Sequence, residues 1–168
     1  MFLLRPIRFL AKALTTQCTS RQLALGFAMG LVIGLVPKGN LTAVLLMTIL
    51  CASKVNLGAG MLTAFSCSWL GPIVDPVTHR IGLALLTNRP LQPLWTTLSD
   101  LPLALWFRFN NTVVLGSLVL GLVLFYPAYR LSKPLFARYA PQIGDRLQRF
   151  RVVQVLWGTG IAGRLAHE

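Results

Sequence analysis

The stretch Gly30–Leu50, GLVIGLVPKGNLTAVLLMTIL, decides the fold. Its two flanks are almost wholly apolar, yet Pro37-Lys38-Gly39-Asn40 places a helix breaker, a cation and two turn formers between them. Gln22–Val36 and Leu41–Ala52 read as helices that rise only about 22 and 18 Å, at ~1.5 Å per residue. Neither crosses a hydrocarbon core of about 30 Å alone. The unit 22–52 is therefore either a re-entrant hairpin or one long, tilted, broken helix. Irregular backbone at membrane depth is tolerated only where protein or water satisfies its polar groups. The break thus implies a buried niche, lined by protein or wet.

Residues 57–87 repeat the pattern, apolar with an interruption at Gly71–Pro76, GPIVDP. Asp75 followed by Pro76 reads as a helix cap and first helical residue, where proline loses no hydrogen bond. Two interrupted segments in succession are the pattern of half-helix sites in transporters, although no residue-level repeat relates them. Residues 111–129, NTVVLGSLVLGLVLFYPAY, form one unbroken run of the length a bilayer needs. Its Gly116 is expected to tolerate a side chain if that face meets lipid. At the start, MFLLRPIRFLAKAL interleaves Arg5, Arg8 and Lys12 with apolar residues. That is the pattern of a surface-lying amphipathic helix over 1–21 rather than of a cleaved signal.

Composition fits this organisation. Of 168 residues 55% are hydrophobic and only 12% charged, with mean hydropathy +0.66. Soluble domains carry about a quarter charged residues, so this chain has too little polar side chain to coat a water-facing surface. The expected fold is all-α: a multi-pass integral membrane protein with broken or re-entrant helices. The net charge of +12 comes from 16 Lys and Arg against four acids. A nucleic-acid binder can share that balance, but not these apolar runs, so no nucleic-acid partner is expected. Cys18, Cys51 and Cys67 are odd in number and the last two lie in apolar segments, which points to neither a disulfide framework nor a metal site.

Orientation follows from Lys and Arg, which favour the cytoplasmic side. Arg5, Arg8, Lys12 and Arg21 precede the membrane domain 22–130, and Arg130, Lys133, Arg138, Arg146, Arg149, Arg151 and Arg164 mark the segment 131–168. The connector 88–110 has only Arg89 and Arg108, offset by Asp100, with Trp95, Trp106, Phe107 and Phe109 suited to the opposite interface. Both termini are expected in the cytoplasm, with 131–168 as a basic amphipathic cytoplasmic segment. The two broken units then make an odd number of crossings, which favours 22–52 as the hairpin and 57–87 as a kinked span. The basic ends are expected to meet anionic lipid headgroups.

Several groups are candidates for function. Gly26, Gly30 and Gly34 recur every four residues, the spacing that lets helix backbones approach closely within the chain or between copies. Lys38 and Asn40 either cap the helix ends flanking the break, or they form an anion site at an inward-pointing helix N-terminus. Asp75 and His79 share a helical face and lie within hydrogen-bonding reach, with Arg80 beside them. Asp75 is the only acid before residue 100, hence the natural partner for Lys38 in a buried niche. These five, Lys38, Asn40, Asp75, His79 and Arg80, make the candidate intramembrane polar niche. Gly158, Gly160 and Gly163 mimic a dinucleotide fingerprint, but too little chain follows for the required helix, strand and acid. No nucleophile, carboxylate pair or metal spacing appears, so neither an enzyme nor a cofactor is expected.

The block over residues 22–86 also resembles a known family. Its A-x-G-x-x-x-G-x-x-x-G-x-x-P run (Ala24 to Pro37), short apolar return, Trp69 and two prolines, Pro72 and Pro76, are similar to the bacterial membrane family catalogued as a domain of unknown function, DUF2062. Gly71 stands where that family often has Asn. The resemblance implies a small bacterial inner-membrane protein and brings no activity with it. The function expected is a non-enzymatic component of an envelope transport or lipid-handling assembly, with a protein partner or a second copy in the membrane. The alternative is a structural or anchoring subunit without a substrate site.

Overall fold

The computed structural model describes residues 19–100, 102 and 104–149, and these residues form helices and turns without a strand. The helices are α1 (Ser20–Leu35), α2 (Leu41–Ala52), α3 (Leu57–Ser68), α4 (Gly71–Leu86), α5 (Gln92–Ser99), α6 (Ala104–Phe107) and α7 (Thr112–Arg149), with a 3-10 turn at Arg89–Leu91. The expected surface helix at 1–21, apart from its last residues, and the chain beyond 149 with its glycine triplet, lie outside the described residues.

Side-chain caps explain where the main helices start. Thr19 and Gln22 cap α1 reciprocally, the Gln22 amide donating to Thr19 Oγ1 at 3.3 Å and the Thr19 amide to Gln22 Oε1 at 3.1 Å. Asn40 Oδ1 accepts from the Ala43 amide at 2.8 Å, Asn56 Oδ1 from Ala59 at 2.7 Å, and Asn111 Oδ1 from Val113 at 2.9 Å. Asn56 is almost wholly buried at 3% exposure, so its loss also strands amides away from solvent. Asn56→Ala is expected to cost about 1–2 kcal/mol in unfolding of the detergent-solubilised protein, with Asn56→Ser recovering most of it. Equal losses for Ala and Ser would rule out the cap as the cause.

α1 sits at the centre. Its glycine face lies on α3, with Gly26 over the Asn56 carbonyl, Gly30 over the Gly60 carbonyl and Gly34 over Ala64 and Cys67. The two helices run parallel, and the Asn56 amide donates to the Gln22 carbonyl at 3.2 Å where they begin. α7 descends beside α1 in the opposite sense, with Gly121 on Val32 and the Phe136 ring edge-on to Phe27 at 5.9 Å. α2 returns from the break and plugs Leu50, wholly buried, against Gly60. The Thr42 hydroxyl donates to the Phe107 carbonyl at 2.9 Å, joining the hairpin tip to the end of the connector. The bundle thus has two ends, one holding the starts of α1 and α3, the other holding the break and the start of α7.

The second unit differs from its expectation. α3 and α4 meet at a bend of 83°, a geometry that fits either a broken span or a re-entrant loop, and the difference lies in where the break falls. The break falls at Trp69–Leu70, in front of GPIVDP rather than inside it. There the Trp69 and Leu70 amides bond three residues back, to Ser66 and Cys67, and the Val74 amide already bonds to Leu70. Pro72 occupies the first turn, where a missing N–H costs nothing, so α4 starts at Gly71 and Pro76 lies within it. Asp75 is therefore a helical residue and not the cap.

α7 also runs on through residue 130 without interruption, to Arg149. Pro127, Pro134 and Pro141 lie inside it at intervals of seven, so their missing hydrogen bonds fall on one side of the helix. Among the described residues α7 is the one helix long and apolar enough, over Thr112–Tyr139, to cross a bilayer alone. α3 and α4 qualify only as the bent pair, and α1 and α2 are shorter apolar helices.

Candidate functional site

The break after α1 is a closed turn. Gly39 adopts φ +87°, a left-handed conformation that suits glycine. That turn carries Lys38 back over the end of α1, where its Nζ donates to the carbonyls of Ile33 at 2.5 Å, Val36 at 3.0 Å and Gly34 at 3.4 Å. These acceptors are the orphan carbonyls of a helix C-terminus, and a cation there also meets the negative end of the helix dipole. Asn40 closes the other side: its Nδ2 donates to the Pro37 carbonyl at 2.9 Å while its Oδ1 caps α2. Among the described residues no buried side-chain nitrogen or oxygen lacks a partner. The polar residues of the break therefore satisfy the backbone they interrupt.

Asp75, His79 and Arg80 lie on α4, away from that turn. His79 Nδ1 is 2.7 Å from Thr112 Oγ1 on α7, so the histidine joins two helices instead of pairing with Asp75. The Asp75 backbone carbonyl accepts from the Thr78 hydroxyl at 3.0 Å, and its carboxylate forms no ion pair with a described residue. The five candidates thus separate into two groups: Lys38 with Asn40 at the tip, and His79 at a helix crossing with Asp75 half-buried and Arg80 exposed on the same helix. Among the described residues no three His, Cys, Asp or Glu side chains come together.

That crossing is the feature which sequence reasoning missed. Gly82 lies against the Thr112 carbonyl, and Gly116 lies against the Thr78 carbonyl and 2.9 Å, at the position of an added Cβ, from the Gly82 amide. Gly116 consequently faces α4, not lipid, contrary to its reading as part of a plain span. The signal was present as two T-x-x-x-G runs, Thr78–Gly82 and Thr112–Gly116, that meet in opposite register. Thr78 and Ser117 are buried at 1% and 0% exposure beside these glycines, with the Ser117 hydroxyl returned to the Val114 carbonyl at 3.0 Å.

The family described as "Uncharacterized protein conserved in bacteria (DUF2062)" matches residues 4–142. The chain belongs to that family. A protein of Treponema pallidum (strain Nichols), described as "Uncharacterized protein", is 28% identical over 131 residues, which is 78% of this chain and 81% of the relative. No solved structure matches the chain. The DUF2062 match takes in the glycine face of α1, the capped break and the Thr-Gly crossing of α4 with α7. It extends well beyond the residues 22–86 that carry the resemblance.

Proposed function

We propose that this DUF2062 protein is embedded in the bacterial inner membrane as a non-enzymatic structural or anchoring component of an envelope assembly. The observation that carries the reading is an outer surface rich in large apolar side chains around helices that meet closely at small residues. The closest helix approaches are made at glycines, flanked by Ala24, Ala28, Ala59, Ala64, Thr78 and Ser117, all under 9% exposed, while Val32, Ile33, Leu50 and Leu115 fill the interior beside them. Many large apolar residues also point outward, with Phe65 66%, Ile73 75%, Val77 53%, Leu122 58% and Val123 65% exposed. Water would drive those groups inside, whereas lipid solvates them and leaves close packing of small residues as the force between helices. Satisfaction of the break by its own turn supports an anchoring subunit over one with an open polar niche.

A second reading, a lipid-handling or transport component, draws on α2. That helix leaves Val44, Leu45, Met47 and Ile49 37–58% exposed along one side of the hairpin. In either case α1 and α2 form a hairpin from the basic end to the connector end and back, and the basic end faces the cytoplasm.

Labelling tests embedding and orientation together. In a variant without its native cysteines, Ser99→Cys should react with an impermeant thiol reagent in intact cells. Gln148→Cys should react only after permeabilisation. The protein should also stay in the membrane fraction at alkaline pH. Release into the soluble fraction would overturn embedding, and the reverse labelling would overturn the orientation.

A further inference from the structure

Folding brings cations, remote in sequence, to one end of the bundle. Arg21 stands at the start of α1 and Lys54 in the turn before α3, on either side of the hydrogen bond from the Asn56 amide to the Gln22 carbonyl. Both are exposed, and neither forms an ion pair with a described residue. The antiparallel course of α7 beside α1, marked by the Gly121–Val32 and Phe136–Phe27 contacts, brings Arg130 and Lys133 to the same end. The acids with described side chains, Asp75 on α4 and Asp100 after α5, form no ion pair with a described residue. These cations therefore face solvent without a counter-charge from the described residues.

Exposed apolar surface lies further along the same elements. Met47 and Ile49 on α2 are 37% and 44% exposed just ahead of Lys54, and Leu122 and Val123 on α7 are 58% and 65% exposed ahead of Arg130. Charge and apolar surface on the same elements fit an amphiphile, which presents phosphate to the first and acyl chain to the second. A nucleic acid would use only the cations and leave the apolar flank uncovered. We propose that Arg21 and Lys54, with Arg130 at the same end of the bundle, hold the phosphate headgroup of an anionic phospholipid whose acyl chain lies along the exposed side of α2. This inference rests on the membrane-embedded reading and names the partner of its basic end.

The test is thermal unfolding of the full chain in neutral detergent, titrated separately with phosphatidylglycerol, phosphatidylcholine, inorganic phosphate and a short DNA duplex. Phosphatidylglycerol should raise the midpoint, while phosphatidylcholine and inorganic phosphate leave it nearly unchanged. Losing a cation at a lipid surface weakens binding roughly fivefold, so Arg21→Gln with Lys54→Gln should shift the titration about thirtyfold. Arg89→Gln, at the connector end, should titrate like the parent protein. If the double variant is unstable without lipid, the charge-keeping pair Arg21→Lys and Lys54→Arg replaces it and should bind normally. Equal response to both lipids, an unshifted titration in the double variant, loss of binding in the charge-keeping pair, or stronger stabilisation by DNA would each overturn the site. A protein retained in membranes at alkaline pH but indifferent to phosphatidylglycerol would fail this inference alone and leave the embedded reading standing.

Discussion

Gly116→Leu is expected to be among the most damaging single substitutions in the chain, and Gly30→Leu to match it. A side chain at 116 enters the Thr78 carbonyl, and its first carbon already stands 2.9 Å from the Gly82 amide. At 30 that carbon enters the Gly60 carbonyl and lies 2.9 Å from the Thr63 Cβ. Overpacking usually costs about 1–3 kcal/mol. Backbone cannot swing aside as a side-chain tip can, so both variants should lie at or above about 3 kcal/mol. Unfolding of the purified protein in mild detergent is the measurement. Gly71→Ala is the control, since nothing lies within 4 Å of its added carbon, and it should be close to neutral. A Gly116→Leu variant as stable as Gly71→Ala would dissolve the α4–α7 crossing.

The second large effect concerns Lys38. Lys38→Met removes the donor shared by the Ile33, Gly34 and Val36 carbonyls, and unpaired carbonyls cost about 1–3 kcal/mol. Lys38→Gln, whose amide still donates, should retain part of the stability. Asp75→Asn should be mild, because the carboxylate forms no ion pair with a described residue. The double variant should lose the sum of the two, with a coupling below about 0.5 kcal/mol, as for independent sites. A buried pair gives the opposite result, since removing both charges restores what removing one destroys. Recovery in the double variant would return Asp75 to the break and reopen the polar niche.

Local chemistry made much of this architecture legible. Asn40 was readable as the start of α2 because an acceptor side chain there meets amides that the helix leaves unpaired, and the structure shows Thr19, Asn56 and Asn111 beginning helices by the same means. The glycine face of α1 was readable from its spacing, and so was the interruption at Pro37–Asn40. Both depend on residues within a turn or two of each other. The break between α3 and α4 was misplaced because Pro72 and Pro76 are equally good helix starters by type. Which one starts the helix depends on the turn at Trp69–Leu70, which carries no strong signal of its own.

Sequence alone determined that the chain is helical, where most of its helices begin, and that it belongs to the DUF2062 family. Tertiary structure decided what the polar and small residues do. Lys38 bonds to its own helix end, His79 reaches Thr112, and Gly82 and Gly116 press on each other's helices through pairs far apart in the chain. Those choices turn on distances between helices, which depend on how closely two backbones approach and in which register. Periodicity marks the face of a helix that is small enough for such contact. It does not name the helix that will meet it.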